Sequence, residues 1–231
     1  MCGRFAIVPT NMKARYGLAN EIIDLVANYN ASPGQYLPVI TFKDSKNKLE
    51  LMKWGLIPHW SKDDKIGYKM INARSETILE KPSYKKPFET SRCIIPISGF
   101  YEWKRLTEST TKTDQSNQFK PIKIPYFIKF KDKPVNSLIS LAGIYATWTN
   151  PETKEAINAF SIITTKANKQ MEAIHDRMPV ILNQEEEHEY LNSEQKKAFS
   201  LLKPNNTNLD IHEVSREVNS PSNNYEGLLE G

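Results

Sequence analysis

The chain has 231 residues, of which 39% are hydrophobic and 25% charged, a composition typical of a globular protein rather than a disordered one. That length allows a buried core without disulfide bonds, and two cysteines can form neither a disulfide scaffold nor a four-thiolate zinc site. No apolar stretch reaches the length of a membrane span, and none follows the N-terminus as in a secretory signal. We therefore expect a soluble, cytoplasmic protein.

The formal net charge of +4 conceals an uneven distribution of charged residues. Residues 51–135 carry 17 basic and 9 acidic side chains, whereas residues 136–231 carry 8 and 14. A basic middle region is consistent with an anionic partner, although lysine-rich solvated surface is the simpler interpretation. Arginine is rare, with 7 residues against 24 lysines, so each arginine is the better candidate for a specific bidentate contact.

The first sixty residues predict strands separated by turns. Strands are predicted at residues 2–8, 36–42 and 49–54. Residues 10–17 predict a brief helix that stops at a glycine, and NASPG at 30–34 has the composition of a turn. Residues 54–60 (WGLIPHW) predict an aromatic loop interrupted by Gly and Pro.

The middle of the chain continues this pattern. Strands are predicted at residues 93–97, 99–104, 124–130, 139–148 and 157–164. A short helix is predicted at 82–89. The segment at 105–123 is rich in Thr, Ser, Gln and Lys and predicts a polar surface loop.

The C-terminal part predicts short helices and one more strand. Helices are predicted at residues 167–173, 184–191 and 193–202, before a turn at 203–208 and a strand at 209–214. Residues 220–231 are expected to form a flexible tail. Many short strands with few peripheral helices favour a single α+β domain over residues 1–231, with a mixed, barrel-like sheet.

Cys2 has the most distinctive chemistry, because it becomes the N-terminal residue if Met1 is removed. An N-terminal cysteine carries an amine and a thiol on adjacent carbons, and both are nucleophiles near neutral pH. With an aldehyde, the amine gives an imine and the thiol then closes a five-membered thiazolidine. With an amide carbonyl, the thiol can act as a hydrolytic nucleophile. The alternative is a small residue near a terminus with no chemical role.

Several other residues are candidates for core or site. Cys93 lies in the apolar run RCIIPI and is predicted to be a core residue. Glu102 lies between aromatic residues in GFYEWK, where a partly desolvated carboxylate suits acid–base chemistry, although a strand Glu can also face water. His175 begins the dense group HDRMP, but a lone histidine is a weak signal. Asn72 and Arg74 in INARSET offer amide and guanidinium donors for a phosphate or an oxyanion.

Seven motifs follow one another along the chain: MCGRF, NASPG, WGLIPHW, INARSET, GFYEWK, HDRMPVIL and VSREVNS. In this order, over residues 2–219, the chain resembles the SRAP (SOS response-associated peptidase) family, whose members protect abasic sites in single-stranded DNA. The resemblance implies a mixed α/β SRAP domain with a barrel-like β core and a DNA-binding channel. We expect a monomer without cofactor, metal or membrane partner.

The resemblance also implies catalytic roles. Cys2, freed of Met1, would condense with the ring-opened aldehyde of an abasic deoxyribose and form a covalent thiazolidine that shields the strand during the SOS response. Glu102 would transfer protons, and His175 would assist ring opening, imine formation and reversal. Asn72 would position the Cys2 backbone or the sugar.

Further residues are implied as DNA contacts. Arg4 and Arg74 would clamp the phosphates that flank the lesion, and Arg216 would contact another phosphate. Pro33 and Trp54 would lie beside the bases near the lesion. Binding is then expected to be salt-sensitive and largely independent of base sequence.

Some alternatives stay open at this point. Arg177 could be structural, paired with Asp176 or a neighbour. A thiol peptidase, autoprotease or amidase would use Cys2 as its nucleophile, and a noncatalytic single-strand binding module would give it no role. The arginines and the basic region 51–135 suit phosphates better than a peptide, and we expect the protein on the nucleoid when it is bound to DNA.

Overall fold

In the computed structural model, the described residues are 2–20, 25–111, 120–131, 133–134 and 137–231. Within them the strands, in chain order, are β1 (Arg4–Ile7), β2 (Asn28–Ala31), β3 (Tyr36–Lys43), β4 (Lys46–Trp54), β5 (Asn72–Arg74), β6 (Arg92–Ile97), β7 (Gly99–Thr111), β8 (Lys120–Phe130), β9 (Ile139–Thr149), β10 (Ala156–Lys166), β11 (Arg177–Pro179), β12 (Ile181–Leu182) and β13 (Leu209–Glu213). The α-helices are α1 (Met12–Tyr16), α2 (Pro82–Thr90), α3 (Gln184–Asn192) and α4 (Gln195–Ser200).

Five strands form a closed ring. β3 pairs antiparallel with β4 and β6, β6 pairs with β9, and β9 pairs with β10. β10 then pairs in parallel with β4, where Phe160 lies opposite Trp54, and this contact closes the barrel. Every residue of β6 is buried, because the strand is covered on both faces, which explains the apolar sequence that follows Arg92. Aliphatic side chains from these strands fill the main core: Ile40, Ile94, Ile95, Leu141 and Ile162.

A second sheet is antiparallel throughout and has the strand order β13-β8-β7-β1-β2. Its link to the barrel is the turn at Ser98, between β6 and β7. The Ser98 amide donates to the carbonyl of Ala6 over 2.8 Å, and its hydroxyl accepts a hydrogen bond from the amide of Val8 over 2.9 Å. The N-terminal strand β1 is therefore fixed where the barrel and the second sheet meet.

The prediction of a polar loop at 105–123 is wrong for the residues of this segment that the structure describes. β7 continues to Thr111 and β8 begins at Lys120, so these residues form the arms of a long hairpin. Polar composition suggested a loop, but threonine is β-branched and favours strands, and the backbone of Thr110 and Thr111 is in register with β8. Residues 112–119 lie outside the described residues.

The expected flexible tail at 220–231 is also wrong. A 3₁₀ turn at Glu226–Leu229 buries Leu228 and Leu229 against the second sheet. The hydroxyl of Tyr101 donates to the carbonyl of Leu228 over 3.5 Å, and Nε2 of His212 lies 2.9 Å from the carbonyl oxygen of Leu229. Leu228 and Leu229, near the end of this otherwise polar segment, therefore hold it against the second sheet.

The fold class is confirmed, as a mixed α/β domain with a barrel-like β core and short helices. Smaller elements differ from the predictions. The helix predicted at 167–173 is only a 3₁₀ turn at Met171–Ala173, and a strand (β2) occupies the first part of the turn predicted at 30–34. No helix among the described residues combines the length and the apolar character needed to cross a membrane.

Candidate active site

Cys2 lies two residues before the start of β1 and is completely buried. The side-chain amide of Asn72 donates to the Cys2 carbonyl over 2.8 Å, so β5 fixes the backbone of the N-terminal segment. The Cys2 thiol lies 3.9 Å from the carbonyl oxygen of Arg4. The reactive group predicted from the sequence is therefore held in the interior, at the junction of the two sheets.

Glu102 lies next to Cys2 because of the register of β1 and β7. Arg4 pairs with Tyr101 and Phe5 with Phe100, and side chains alternate between the two faces of a strand. Tyr101 faces a second apolar cluster, which also contains Leu228 and Leu229, whereas Phe100 faces the main core that contains Cys2. Glu102 lies on the same face of β7 as Phe100 and is only 2% exposed. Burial raises the pKa of the Cys2 thiol well above its usual range, and the Glu102 carboxylate raises it further, so the resting thiol is protonated at neutral pH.

The motifs that contain Asn72 and His175 lie on opposite sides of strand β10. β5 pairs with it in parallel, with Asn72 opposite Ile162, and β11 pairs with it antiparallel. His175 lies two residues before the start of β11. Its Nδ1 lies 3.0 Å from the amide of Arg177 and 2.8 Å from Oδ1 of Asp176. The amide can donate to the neutral imidazole and the carboxylate can accept from the protonated one, so both protonation states have a partner, which suits a proton-transfer residue.

Arg177 has a structural partner, and it is Glu76 rather than Asp176. Its guanidinium donates to both carboxylate oxygens of Glu76 over 3.1 and 2.9 Å, and to the carbonyl of Thr164 on β10 over 2.8 Å. This ion pair holds the pKa of Glu76 below its usual range. Arg177 therefore ties the motif that contains Asn72 to the motif that contains His175.

Arg4 is oriented by groups that are distant in the sequence. Its Nη1 donates to Oδ1 of Asn30 and to the carbonyl of Val218, both over 2.7 Å, and its Nη2 donates to the carbonyl of Asn219 over 3.4 Å. Asn30 is buried, and its amide donates to three carbonyls of the C-terminal segment. Within the described part of the chain, Nε of Arg4 has no acceptor, and the residue is half-buried.

Comparison with known proteins adds to this geometry. Residues 1–221 match the family described as SOS response associated peptidase (SRAP). The chain belongs to the SRAP family. The abasic site processing protein YoqW of Bacillus subtilis (strain 168) is 46% identical over 207 residues, which are 88% of this SRAP chain and 85% of YoqW. The abasic site processing protein YoaM of the same organism is 40% identical over 246 residues, with 100% and 98% coverage.

More distant relatives agree with this membership. The abasic site processing protein HMCES of Xenopus tropicalis is 35% identical over 214 residues, which are 85% of this SRAP chain and 64% of HMCES. A crystal structure of a protein from Bacteroides thetaiotaomicron superimposes with a TM-score of 0.81 at 31% identity and covers 99% of both chains. Among the described residues of the SRAP chain, no group of three or more His, Cys, Asp or Glu side chains is placed to hold a metal ion.

The residues expected to contact DNA occupy different environments in this SRAP protein. Arg74 at the end of β5 and Arg216 near the C-terminus are exposed, and neither forms an ion pair with the described residues. Pro33 is half-buried in the turn between β2 and β3. Their DNA contacts stay predictions, and the exposure of the two arginines is compatible with them.

Trp54 is the exception, because it is a core residue. It is 1% exposed, its ring stacks on Phe160 with 6.2 Å between centroids, and its Nε1 donates to the carbonyl of Ile71 over 3.1 Å. The indole has no open face for a nucleobase, so the base contact expected of Trp54 is not retained. Trp60, which ends the same motif, is 57% exposed. The two tryptophans of WGLIPHW differ in exposure because the first one ends a barrel strand, which the motif alone does not reveal.

Proposed function

We propose that, after removal of Met1, this protein captures abasic sites in single-stranded DNA as a thiazolidine at Cys2. One observation carries the proposal: Cys2 is held at the sheet junction by Asn72, with Glu102 beside its thiol. The relatives YoqW and YoaM are named abasic site processing proteins, which supports the same substrate class.

The protonated thiol suggests the order of the steps. The free amine of Cys2 attacks C1 of the open-chain aldehyde, and the carbinolamine loses one water to give an imine. The S–H bond then adds across the C=N bond: sulfur bonds to carbon, and the proton goes to nitrogen. We assign this proton transfer to Glu102, and the exchange of protons with the sugar during ring opening and closing to His175. One water is released overall.

The same site is less suited to a thiol hydrolase. Such an enzyme needs a thiolate in its resting or substrate-bound state, whereas burial and the Glu102 carboxylate both disfavour a charged sulfur at Cys2. Aldehyde capture can begin at the amine and does not need a thiolate first. The peptidase alternative is therefore the weaker one.

Binding of the flanking DNA is assigned to side chains around this centre. The exposed Arg74 and Arg216 and the half-buried Arg4 can contact phosphates, and Trp60 replaces Trp54 as the candidate for a base contact. Contacts of this kind follow the backbone and do not select a base sequence. Affinity should therefore fall with salt.

A denaturing gel tests the proposal. Protein whose N-terminal residue is confirmed as Cys2 by mass spectrometry is incubated with end-labelled single-stranded DNA that carries one abasic site, with undamaged DNA as control. We expect a heat-stable shifted band from the natural sequence and from Cys93→Ala, and none from Cys2→Ala. Slower band formation is expected for Glu102→Gln and His175→Ala.

Two results would contradict the proposal. A Cys2→Ala band of normal intensity would move the chemistry to another amine, such as a lysine. The absence of any band, combined with Cys2-dependent cleavage of a peptide, would favour the hydrolase instead.

A further inference from the structure

Two exposed tyrosines lie beside the turn that contains Gly34 and take no part in the chemistry above. Tyr36 begins β3 and is 53% exposed, and Tyr68, in the 3₁₀ turn Lys65–Lys69, is 59% exposed. Exposed aromatic side chains that lie near one another on a surface commonly mark a binding site. A partner for them is therefore worth identifying.

The hydroxyl end of the Tyr68 ring lies against the turn that contains Pro33 and Gly34. A Cβ atom on Gly34 would be 2.8 Å from the Tyr68 hydroxyl oxygen and 3.1 Å from two ring carbons, so only glycine allows this approach. Gly34 also has a φ of +90°, which favours glycine, and its amide donates to the carbonyl of Trp54 over 2.8 Å. The turn contacts the hydroxyl end of the ring, and much of the side chain stays exposed. Tyr36 follows two residues after Gly34.

This surface is connected to the reactive centre through the base of one loop. The loop 55–71 leaves the end of β4 and returns at β5, and the amide of Leu56 donates to the carbonyl of Met70 over 3.2 Å. The indole of Trp54 donates to the carbonyl of Ile71, directly before Asn72. Tyr68 therefore lies on the loop that leads into the residue holding Cys2.

The charge around the tyrosines favours a polyanion. Lys62, Lys65 and Lys69 are exposed on the same loop, and none forms an ion pair with a carboxylate in the described part of the chain. Lys53, opposite Tyr36 in the β3–β4 register, forms an ion pair with Asp64 over 2.5 Å. Aromatic rings among unpaired lysines are the combination that binds single-stranded nucleic acid through stacking and phosphate attraction.

We infer that Tyr36 and Tyr68 form a stacking surface for the bases of the undamaged DNA arm that continues from the abasic site. This rests on the proposed function only for the identity of the bound strand. The lysines of loop 55–71 neutralise the phosphates of that arm. The surface selects single-stranded DNA because paired bases cannot expose their faces to the rings.

The test measures binding and crosslinking separately. Fluorescence anisotropy gives the Kd of an undamaged oligothymidylate of about 12 nucleotides, within the range that such sites cover. The variants are Tyr36→Ala, Tyr68→Ala and Tyr68→Phe, and the matched control is Tyr225→Ala, an exposed tyrosine on the C-terminal segment. Crosslinking rates are compared between an abasic oligonucleotide with this arm and one lacking it. Thermal unfolding verifies that each variant is folded.

Stacking predicts that each alanine variant raises the Kd about tenfold, in line with the loss of one base–aromatic contact. Tyr68→Phe keeps the ring and should stay within about twofold, as should Tyr225→Ala. The rate advantage of the long over the short abasic oligonucleotide should shrink in the two alanine variants.

Unchanged Kd values in both alanine variants would overturn the inference and leave the crosslinking proposal intact. A Tyr68→Phe loss equal to that of Tyr68→Ala would overturn stacking as the cause. If no DNA gives a crosslink but the alanine variants still weaken oligothymidylate binding, the surface stands and the proposed chemistry fails.

Discussion

At the scale of single residues, the site depends on a nucleophile that is buried before it reacts. Cys2 is enclosed by the core, its carbonyl is held by Asn72, and its sulfur lies near the carboxylate of Glu102. A thiol can be buried in its protonated form because the neutral sulfur loses little free energy of hydration. The thiol is protected until an aldehyde enters and the amine makes the first bond.

The state of this thiol can be measured by alkylation across pH. Iodoacetamide reacts with the thiolate, so at about pH 8.5, where a free cysteine is half ionised, folded Cys2 should react at least about tenfold more slowly than the chain in denaturant. Glu102→Gln removes the carboxylate, which lowers the pKa of the thiol, so this variant should react faster than the natural sequence. Mass spectrometry of the N-terminal peptide gives the rates.

The same shift has a consequence for stability. The pKa of the Cys2 thiol is higher in the folded chain than in the unfolded one. The protonated thiol therefore contributes to the stability of the fold below about pH 8.5, and this contribution is lost as pH rises through the folded-state pKa.

In the alkylation experiment, equal rates in the folded and unfolded chains would contradict the buried, protonated thiol.

At the scale of elements, residues far from the site hold its supports in place. Arg92 at the start of β6 is buried and donates to the carbonyls of Phe88 at 3.0 Å and of Tyr190 at 2.6 Å, and also to that of Ser193. One guanidinium thus satisfies carbonyls at the C-terminal ends of α2 and α3, where helices lack internal partners. The C-terminal segment supports β1 in a comparable way through its contacts with Arg4.

The docking of the C-terminal segment is tested at Leu228. This side chain is fully buried in the cluster that also contains Tyr101 and Val218, so Leu228→Ala should lower the free energy of unfolding by about 2–4 kcal/mol. Urea denaturation measures the loss. Glu230→Ala changes an exposed neighbour and should stay within about 0.5 kcal/mol. An equally small effect of Leu228→Ala would restore the flexible tail expected from the sequence.

At the scale of the whole molecule, the closed barrel gives the second sheet a rigid base. β4 and β10 close the ring with parallel pairing, and β5 continues beside β10 to bring Asn72 to the N-terminus. The antiparallel sheet adds β1 and β7 on the other side, with Cys2 and Glu102. The site exists only where these two parts meet, because each contributes a different group.

Closure of the barrel is tested at Gly143 on β9. A Cβ atom there would be 3.0 Å from the carbonyl oxygen of Ser161 and 3.2 Å from the sulfur of Cys93, and it would overlap the side chain of Ile95. Gly143→Ala should therefore destabilise the protein by about 1–3 kcal/mol, measured by urea denaturation. Thr149→Ala, at an exposed position of the same strand, provides the control. A neutral Gly143→Ala would show that the barrel wall is not closely packed at this point.

The sequence by itself determined the class of the fold, most of the strands and the order of the family motifs. These features are local: strand composition, turn residues and a cysteine after Met1 can be read within a few positions. Cys93 was correctly predicted as a core residue for the same reason, since the residues that follow it in RCIIPI are all apolar. The reactivity expected of Cys2, as an N-terminal cysteine with an amine and a thiol, also follows from its position alone.

Only the tertiary structure decided how distant segments meet. Trp54 is buried and Trp60 exposed because the barrel closes over the first, and Arg177 pairs with Glu76 across β10 rather than with its neighbour. Asn30 meets the C-terminal segment from nearly 200 positions away, which no local pattern predicts. Such contacts depend on the packing of strands whose registers are set by the whole core, and this packing turns the motifs into one site.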